Sequence, residues 1–272
     1  MKKLFSMILV LGLLLSGNAY AEILDLEKGV KVKIFNNYEY WEAPHRAYTK
    51  MNMGDMGIST SELNQMLRDQ EALGFTGKEK TKIIGNKGIK ILGKAEIMRL
   101  EGKDISNTKL TSLANKCSQK SKSEKSFIKC FYKEINGDPM FQITVAYNKI
   151  DDFKLLTESL SANPSNKKKN EIKKDFLFKN QKILQNSLIK TTASTKLVIF
   201  DDNRWLIYLY GVQNILGLKM KTQAFLITVN DHAVLLNSWC VSAKTCKIIK
   251  KQMASIIEPS FPITKNDLKK IK

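Results

Sequence analysis

Hydrophobic positions are densest in the last third of this chain. Four apolar runs, Lys196–Phe200, Trp205–Val212, Ala224–Val229 and Ala233–Val241, follow one another between turn-forming residues. Short apolar runs bounded in this way read as strands. Asp201-Asp202-Asn203 and Asn230-Asp231 fall where tight turns are needed, and Gly211 with Gly217 predicts a longer connection between the second and third runs. Cys246, Ile249, Met253 and Ile256 then recur at helical spacing, with Lys247, Lys250 and Lys251 turned away, until Pro259 and Pro262 end the helix. The stretch from about 195 to 262 is therefore expected to be an antiparallel sheet closed by a helix.

Earlier segments alternate between periods. Val30, Val32 and Ile34 interleave with Lys31 and Lys33 as a half-buried strand does, and Asn36-Asn37 turns the chain towards Tyr38, Tyr40 and Trp41. Those three aromatics form a candidate binding group, although packing on a sheet is the plainer use of such rings. Ser59 and Glu62 make a capping-box pair ahead of Leu63, Met66, Leu67 and Leu73, which predicts a helix over roughly Thr60–Leu73. Ile83-Ile84 and Ile89–Leu92 flank Gly85-Asn86-Lys87-Gly88 as hairpin strands would, with a further strand over Ala95–Leu100.

The period turns helical between Ser106 and Ile135, a strand is expected at Met140–Tyr147, and a short helix at Asp151–Leu160. Asn163-Pro164-Ser165-Asn166 breaks the chain before Lys167-Lys168-Lys169. A helix N-terminus disfavours cations, so this lysine run is expected to stay extended ahead of a helix over Glu171–Ile189. The fold class expected is α+β: an antiparallel sheet packed by helices, with a lysine-rich, mixed helical region of about 101–190 inserted before the C-terminal unit. One domain is expected over residues 22–272.

Residues 1–21 read as a secretory signal. Lys2 and Lys3 precede an apolar Leu4–Leu15 segment, and Ala19-Tyr20-Ala21 has the small-x-small pattern of a cleavage site. Leu15-Ser16-Gly17 is followed by Asn18 rather than Cys, so a lipoprotein anchor is not expected there. The apolar run falls short of the ~20 residues of a spanning helix, and no later segment is apolar enough to span. The expected location is the periplasm or the medium. Four cysteines in an exported chain predict two disulfides. Three pairings are open, and the short spacings favour Cys117 with Cys130 and Cys240 with Cys246.

Charge adds a candidate partner. The net charge is +19, and of 45 basic residues all but Arg46, Arg68, Arg99 and Arg204 are lysine. A charge of this size attracts an anionic surface, whereas bidentate phosphate recognition prefers Arg. A Lys-, Asn- and Ile-rich chain is also what AT-rich coding produces. The candidate anion-binding residues are Lys120, Lys122, Lys125 and Lys129 in the cysteine-stapled region, and Lys167, Lys168 and Lys169 after the break. Export and scarce Arg argue against nucleic acid as the partner.

Candidate chemistry is sparse. His45 and His232 are the two histidines, and neither has a metal-ligand spacing. No C-x-x-C, G-x-S-x-G, Walker loop, H-E-x-x-H or S-x-x-K with its companion motifs occurs. Asp151-Asp152 and Asp201-Asp202 suit turns and caps better than two-carboxylate hydrolysis, because adjacent side chains diverge. His45, in a predicted loop between Pro44 and Arg46, is the better functional candidate of the two histidines and joins the candidate binding residues. Neither a cofactor nor a metal is expected.

The strand Val30-Lys31-Val32-Lys33-Ile34 with Asn37-Tyr38 after it, the late antiparallel strands, and a last helix finishing Ile256-Ile257-Glu258-Pro259-Ser260-Phe261 together resemble the PsbP/Mog1-like α/β/α sandwich group. Phe35-Asn36 stands where that group has a Pro, and Glu62–Ser187 is longer than its usual insertions. The resemblance covers about a third of the chain and implies a non-enzymatic binding or assembly domain. Two functions follow as expectations: an envelope accessory protein that binds an anionic surface or a partner protein without covalent chemistry, or an envelope hydrolase using dispersed carboxylates and His45.

Overall fold

The computed structural model describes residues 22–55, 58–85, 87–134, 140–188, 193–215, 218–240 and 242–271. The expected signal segment lies outside them. β1 (Glu22–Asp25) and β2 (Lys31–Ile34) pair as a small antiparallel sheet. β3 (Glu39–Pro44) leads through α1 (His45–Asp55) and α2 (Thr60–Glu71) to β4 (Lys80–Gly85). Three helices follow, α3 (Lys87–Leu100), α4 (Lys109–Lys120) and α5 (Glu124–Glu134), and then β5 (Phe141–Lys149). α6 (Asp151–Ser161) and α7 (Asn166–Leu188) carry the chain to β6 (Ala193–Ile199), β7 (Trp205–Ile215), β8 (Leu218–Val229) and β9 (His232–Cys240). α8 (Ala243–Ile257) and α9 (Lys265–Lys270) finish it.

The main sheet has seven strands in the order β3-β4-β5-β9-β8-β7-β6, and every pair is antiparallel. The β6–β9 meander forms from the four apolar runs, and the fold is α+β as expected. The Asn230-Asp231 turn is the one expected: both residues take positive φ, at 50° and 64°, as a two-residue hairpin turn requires, whereas Gly217 lies outside the described residues. β5 falls within the 101–190 region, yet lies between β4 and β9 in the middle of the sheet. That region is thus threaded through the core rather than appended to it.

Continuous apolar runs, rather than alternation, follow from burial on both faces. Val198, Leu206, Tyr208, Phe225, Ile227, Val234 and Leu236 point to one side, where Val30, Val32 and Ile34 from the small hairpin and Ile249, Met253 and Ile256 of α8 meet them. Leu197, Trp205, Ile207, Leu209, Leu226 and Leu235 point to the other, under Phe153, Leu156 and Leu160 of α6 and Phe176 and Leu184 of α7. A smaller cluster of Ala43, Tyr48 and Ile83 fills the β3 end, with Trp41 packed against it.

Both disulfides take the local pairing. Cys117–Cys130 joins α4 to α5, and Cys240–Cys246 joins the end of β9 to the first turn of α8. Among the described residues, no helix is long and apolar enough to cross a membrane. Ser260 ties the segment after α8 back to β2: its hydroxyl donates to the Lys31 carbonyl at 2.9 Å and accepts from the Lys31 N–H at 2.5 Å.

Several local expectations change. Lys250, expected to turn away with Lys247 and Lys251, is half-buried, its Nζ donating to the Ile271 carbonyl at 2.7 Å and lying 4.6 Å from the Tyr208 ring centroid. The 87–100 stretch is one helix, α3, not strands around a turn. Apolar residues there recur too closely for the period alone to separate the two. Lys167, Lys168 and Lys169 are helical, because the Ser165 hydroxyl accepts from the Lys168 N–H at 3.4 Å and its carbonyl from the Lys169 N–H at 2.8 Å, capping the helix ahead of them. β7 runs through Gly211 to Ile215 and pairs with β8 along its length, so Gly211 marks no connection. His45 opens a helix rather than lying in a loop.

Candidate functional site

His45 is the first residue of α1, and its N–H donates to the Glu79 carbonyl at 2.9 Å, continuing the β3–β4 register past Pro44↔Lys80. The ring points inward and is 6% exposed. Nδ1 lies 2.7 Å from Thr81 Oγ1 and Nε2 lies 3.3 Å from Gln70 Oε1. Thr81 and Thr144 are register partners on β4 and β5, with hydroxyls 2.9 Å apart. The Gln70 oxygen can only accept, so Nε2 carries the proton. Nδ1 then accepts from Thr81, and Thr81 accepts in turn from Thr144. Phe75 covers the ring, with centroids 5.5 Å apart.

Glu79, 1% exposed, lies beneath this network. Its carboxylate accepts from the backbone N–H groups of Thr76 at 2.6 Å, Gly77 at 2.6 Å and Tyr147 at 3.0 Å. Burial works to raise its pKa, but these N–H groups together outweigh it and hold the carboxyl below the usual carboxylate range. For His45 burial dominates and pushes the imidazole pKa down, against the opposing pull of the Glu79 charge and the Gln70 bond.

General acid–base chemistry needs a group within hydrogen-bond reach of a substrate proton. Here the carboxylate is ionised and engaged, both imidazole nitrogens have partners, and Thr81 and Thr144 are 2% and 3% exposed. The arrangement can fix the β3–α1 junction to β4, β5 and α2. Among the described residues His45 is enclosed by Phe75 and its hydrogen-bond partners, with 6% of its surface exposed. Among the described residues, no group of three or more His, Cys, Asp and Glu is placed to hold a metal ion. His232 is separate: at the start of β9, its Nδ1 lies 3.1 Å from the Ala146 carbonyl.

The early aromatics do not form one surface. Tyr38 stacks on Phe141 at 6.1 Å, meets Phe35 edge-on, and accepts a hydrogen bond from Gln252 Nε2 at 3.0 Å. Tyr40 and Trp41 are adjacent on β3 and so point to opposite faces. Trp41 lies edge-on to Tyr48 beneath Gly93 of α3. Tyr40 is 41% exposed, with Lys82 Nζ 4.7 Å from its ring centroid. Lys82 itself is buried and paired with Glu42, its register partner on β3. That hydrogen bond is the main reason the Glu42 pKa is lowered. A cavity of about 100 Å³ adjoins the pair, bordered also by Asp25, Glu27 and Lys80.

The candidate lysines remain on the surface in two places. Lys120, Lys122 and Lys129 are exposed around the α4–α5 hairpin, and Lys125 belongs to α5 with its side chain outside the described residues. Lys167 and Lys168 are exposed and Lys169 half-buried on the first turn of α7. α4 packs on α3 and α5, whereas α7 packs chiefly on α2, α6 and β6, so the two groups belong to different parts of the molecule. Beside the first lies an open polar depression of about 480 Å³, bordered by Ser106, Asn107, Thr108, Asn115 and Lys116.

Sequence reasoning missed Glu79, although the Thr76-x-x-Glu79 spacing carries the signal of a side chain folding back on its own turn. It also missed Gln70, Thr81 and Thr144, which no local pattern connects to His45. The chain matches no protein-family model, no curated protein and no solved structure.

Proposed function

We propose that this chain is an exported, periplasmic accessory protein of the cell envelope that binds an anionic envelope component and performs no covalent chemistry. The observation that carries this reading is the display of lysine on the outer faces of helices whose inner faces build the core. α8 buries Cys246, Ile249, Met253 and Ile256 while Lys244, Lys247 and Lys251 are exposed, and the helix contains no acid. α7 contains seven lysines against Glu171 and Asp175. Two disulfides favour an oxidising compartment. The likeness of the first mature strand and last helix to the PsbP/Mog1-like group supports a binding role in the same way.

Retention of the purified protein on anionic vesicles, neutral vesicles and purified cell wall tests the proposal. Retention on at least one anionic material is expected at low ionic strength, with a marked fall by about 0.5 M salt as the charges are screened. Equal, negligible retention on all three at low salt overturns it.

A further inference from the structure

α7 shows one feature that the core does not explain. Phe178 is 90% exposed at the middle of a 23-residue helix whose orientation is fixed by what it buries. Phe176 packs against Phe153 and Trp205 at centroid distances of 5.9 and 6.3 Å, Asn180 donates to the Phe176 carbonyl at 3.1 Å, and Leu184 is fully buried. At about 100° per residue, Phe178 lies roughly 200° round the helix from Phe176. It cannot turn inward without Phe176 leaving the core.

The stripe around Phe178 is cationic. Lys174 and Lys182, four residues to either side, share its face, and Lys167 falls on the same line three turns earlier. Lys168 and Lys179 flank the stripe, and all five lysines are exposed. Its acids are Asp175 and Glu171, the latter with a carboxylate oxygen 3.3 Å from Lys168 Nζ. On the adjacent α6, Leu155 is also exposed, and Lys154 lies 3.9 Å from Glu158.

We infer that this outer face of α7 is a membrane-contact surface, on which Phe178 enters the headgroup region of an anionic bilayer while Lys167, Lys174 and Lys182 meet lipid phosphates. The inference rests on the proposed binding of an anionic envelope component and names that component as lipid. Charge complementarity and shape select it. The face is a convex helix about 34 Å long (~1.5 Å per residue) that can lie flat on a surface. Lysines near an anionic leaflet each add to the attraction, and an exposed aromatic ring among them can enter the interface. A nucleic-acid strand would call for a series of stacking rings, and this stripe has one.

Vesicle sedimentation with the purified protein tests it, using phosphatidylglycerol–phosphatidylethanolamine vesicles against phosphatidylcholine vesicles. Binding to the anionic vesicles is expected. Phe178→Ala should lower it by about tenfold, the order expected for one buried ring. Lys174→Gln with Lys182→Gln should lower it by at least about fivefold and flatten its salt dependence. Phe178→Trp should keep binding and give an added emission, blue-shifted on vesicles and quenched by acyl-brominated lipid. Because Phe178 is exposed, circular dichroism of all variants should match that of the parent.

Wild-type vesicle binding by Phe178→Ala, or an unquenched Phe178→Trp, overturns the inference. So does preferential binding of single-stranded DNA that depends on Phe178. Retention on cell wall without vesicle binding overturns the inference and leaves the proposed function standing, whereas failure on every anionic material removes both.

Discussion

His45 and Glu79 show how a residue that invites a catalytic reading is used when it is buried. The imidazole is neutral, hydrogen-bonded at both nitrogens, and closed in by Phe75. Its pKa is lowered by burial from an ordinary value of 6.5. The unfolded chain therefore takes up the proton first as pH falls. The stability His45 contributes is complete above about pH 6.5 and is lost as pH drops from there towards the folded-state pKa, with a slope of up to ~1.4 kcal/mol per pH unit. Urea unfolding between pH 8 and 5 should show this decline, and His45→Gln should flatten it. An unchanged pH dependence in that variant would refute the assignment. Of this network, only His45 was singled out from the sequence; the Thr76-x-x-Glu79 spacing was missed. The assembly was not legible, because it depends on the β4–β5 register and on where α2 packs.

Elements were read best where local chemistry and packing agree. The Ser59–Glu62 capping box is formed, and α2 begins where it predicts. α6 begins at the expected Asp151, and α8 and the four meander strands occur where expected, although β8 begins at Leu218 rather than Ala224. Misreadings came where glycine was taken as turn punctuation, at Gly88 inside α3 and Gly211 inside β7. Gly93 lies inside α3, and a Cβ there would stand 2.6 Å from Trp41 Cδ1. This glycine exists for close approach, so α3 can settle on the ring of an edge strand. Alanine normally favours a helix by ~1 kcal/mol over glycine. Here Gly93→Ala should instead destabilise by about 1–3 kcal/mol through overpacking. Pairing it with Trp41→Leu should recover part of the loss relative to Trp41→Leu alone. A stabilised single variant in thermal or urea unfolding would show that α3 does not rest on Trp41. On α7, Ser165 keeps the lysine run helical despite an unfavourable dipole, a contest of modest energies that a charge argument alone misjudged.

At the scale of the molecule, one sheet separates two cores, and alternate residues of the same strands serve each. Unfolding one face therefore strips the other of its floor. Urea unfolding followed by tryptophan emission, with Trp41 near one edge of the sheet and Trp205 and Trp239 in the meander, should coincide with that followed by circular dichroism in a single transition. Two resolved transitions would mean that the lysine-rich 101–190 region unfolds as a separate unit. The sequence by itself determined the elements whose signals are local: the apolar runs of the meander, the Asn-Asp turn and the capping box, with the short cysteine spacings only favouring the pairs that form. These are set by backbone sterics, chain spacing and hydrophobic period within a few residues. Tertiary structure alone decided that β5 lies inside the sheet between β4 and β9, and that His45 is enclosed by Gln70, Thr81 and Phe75. Each depends on register and on the packing of elements distant in sequence, and no local period encodes those.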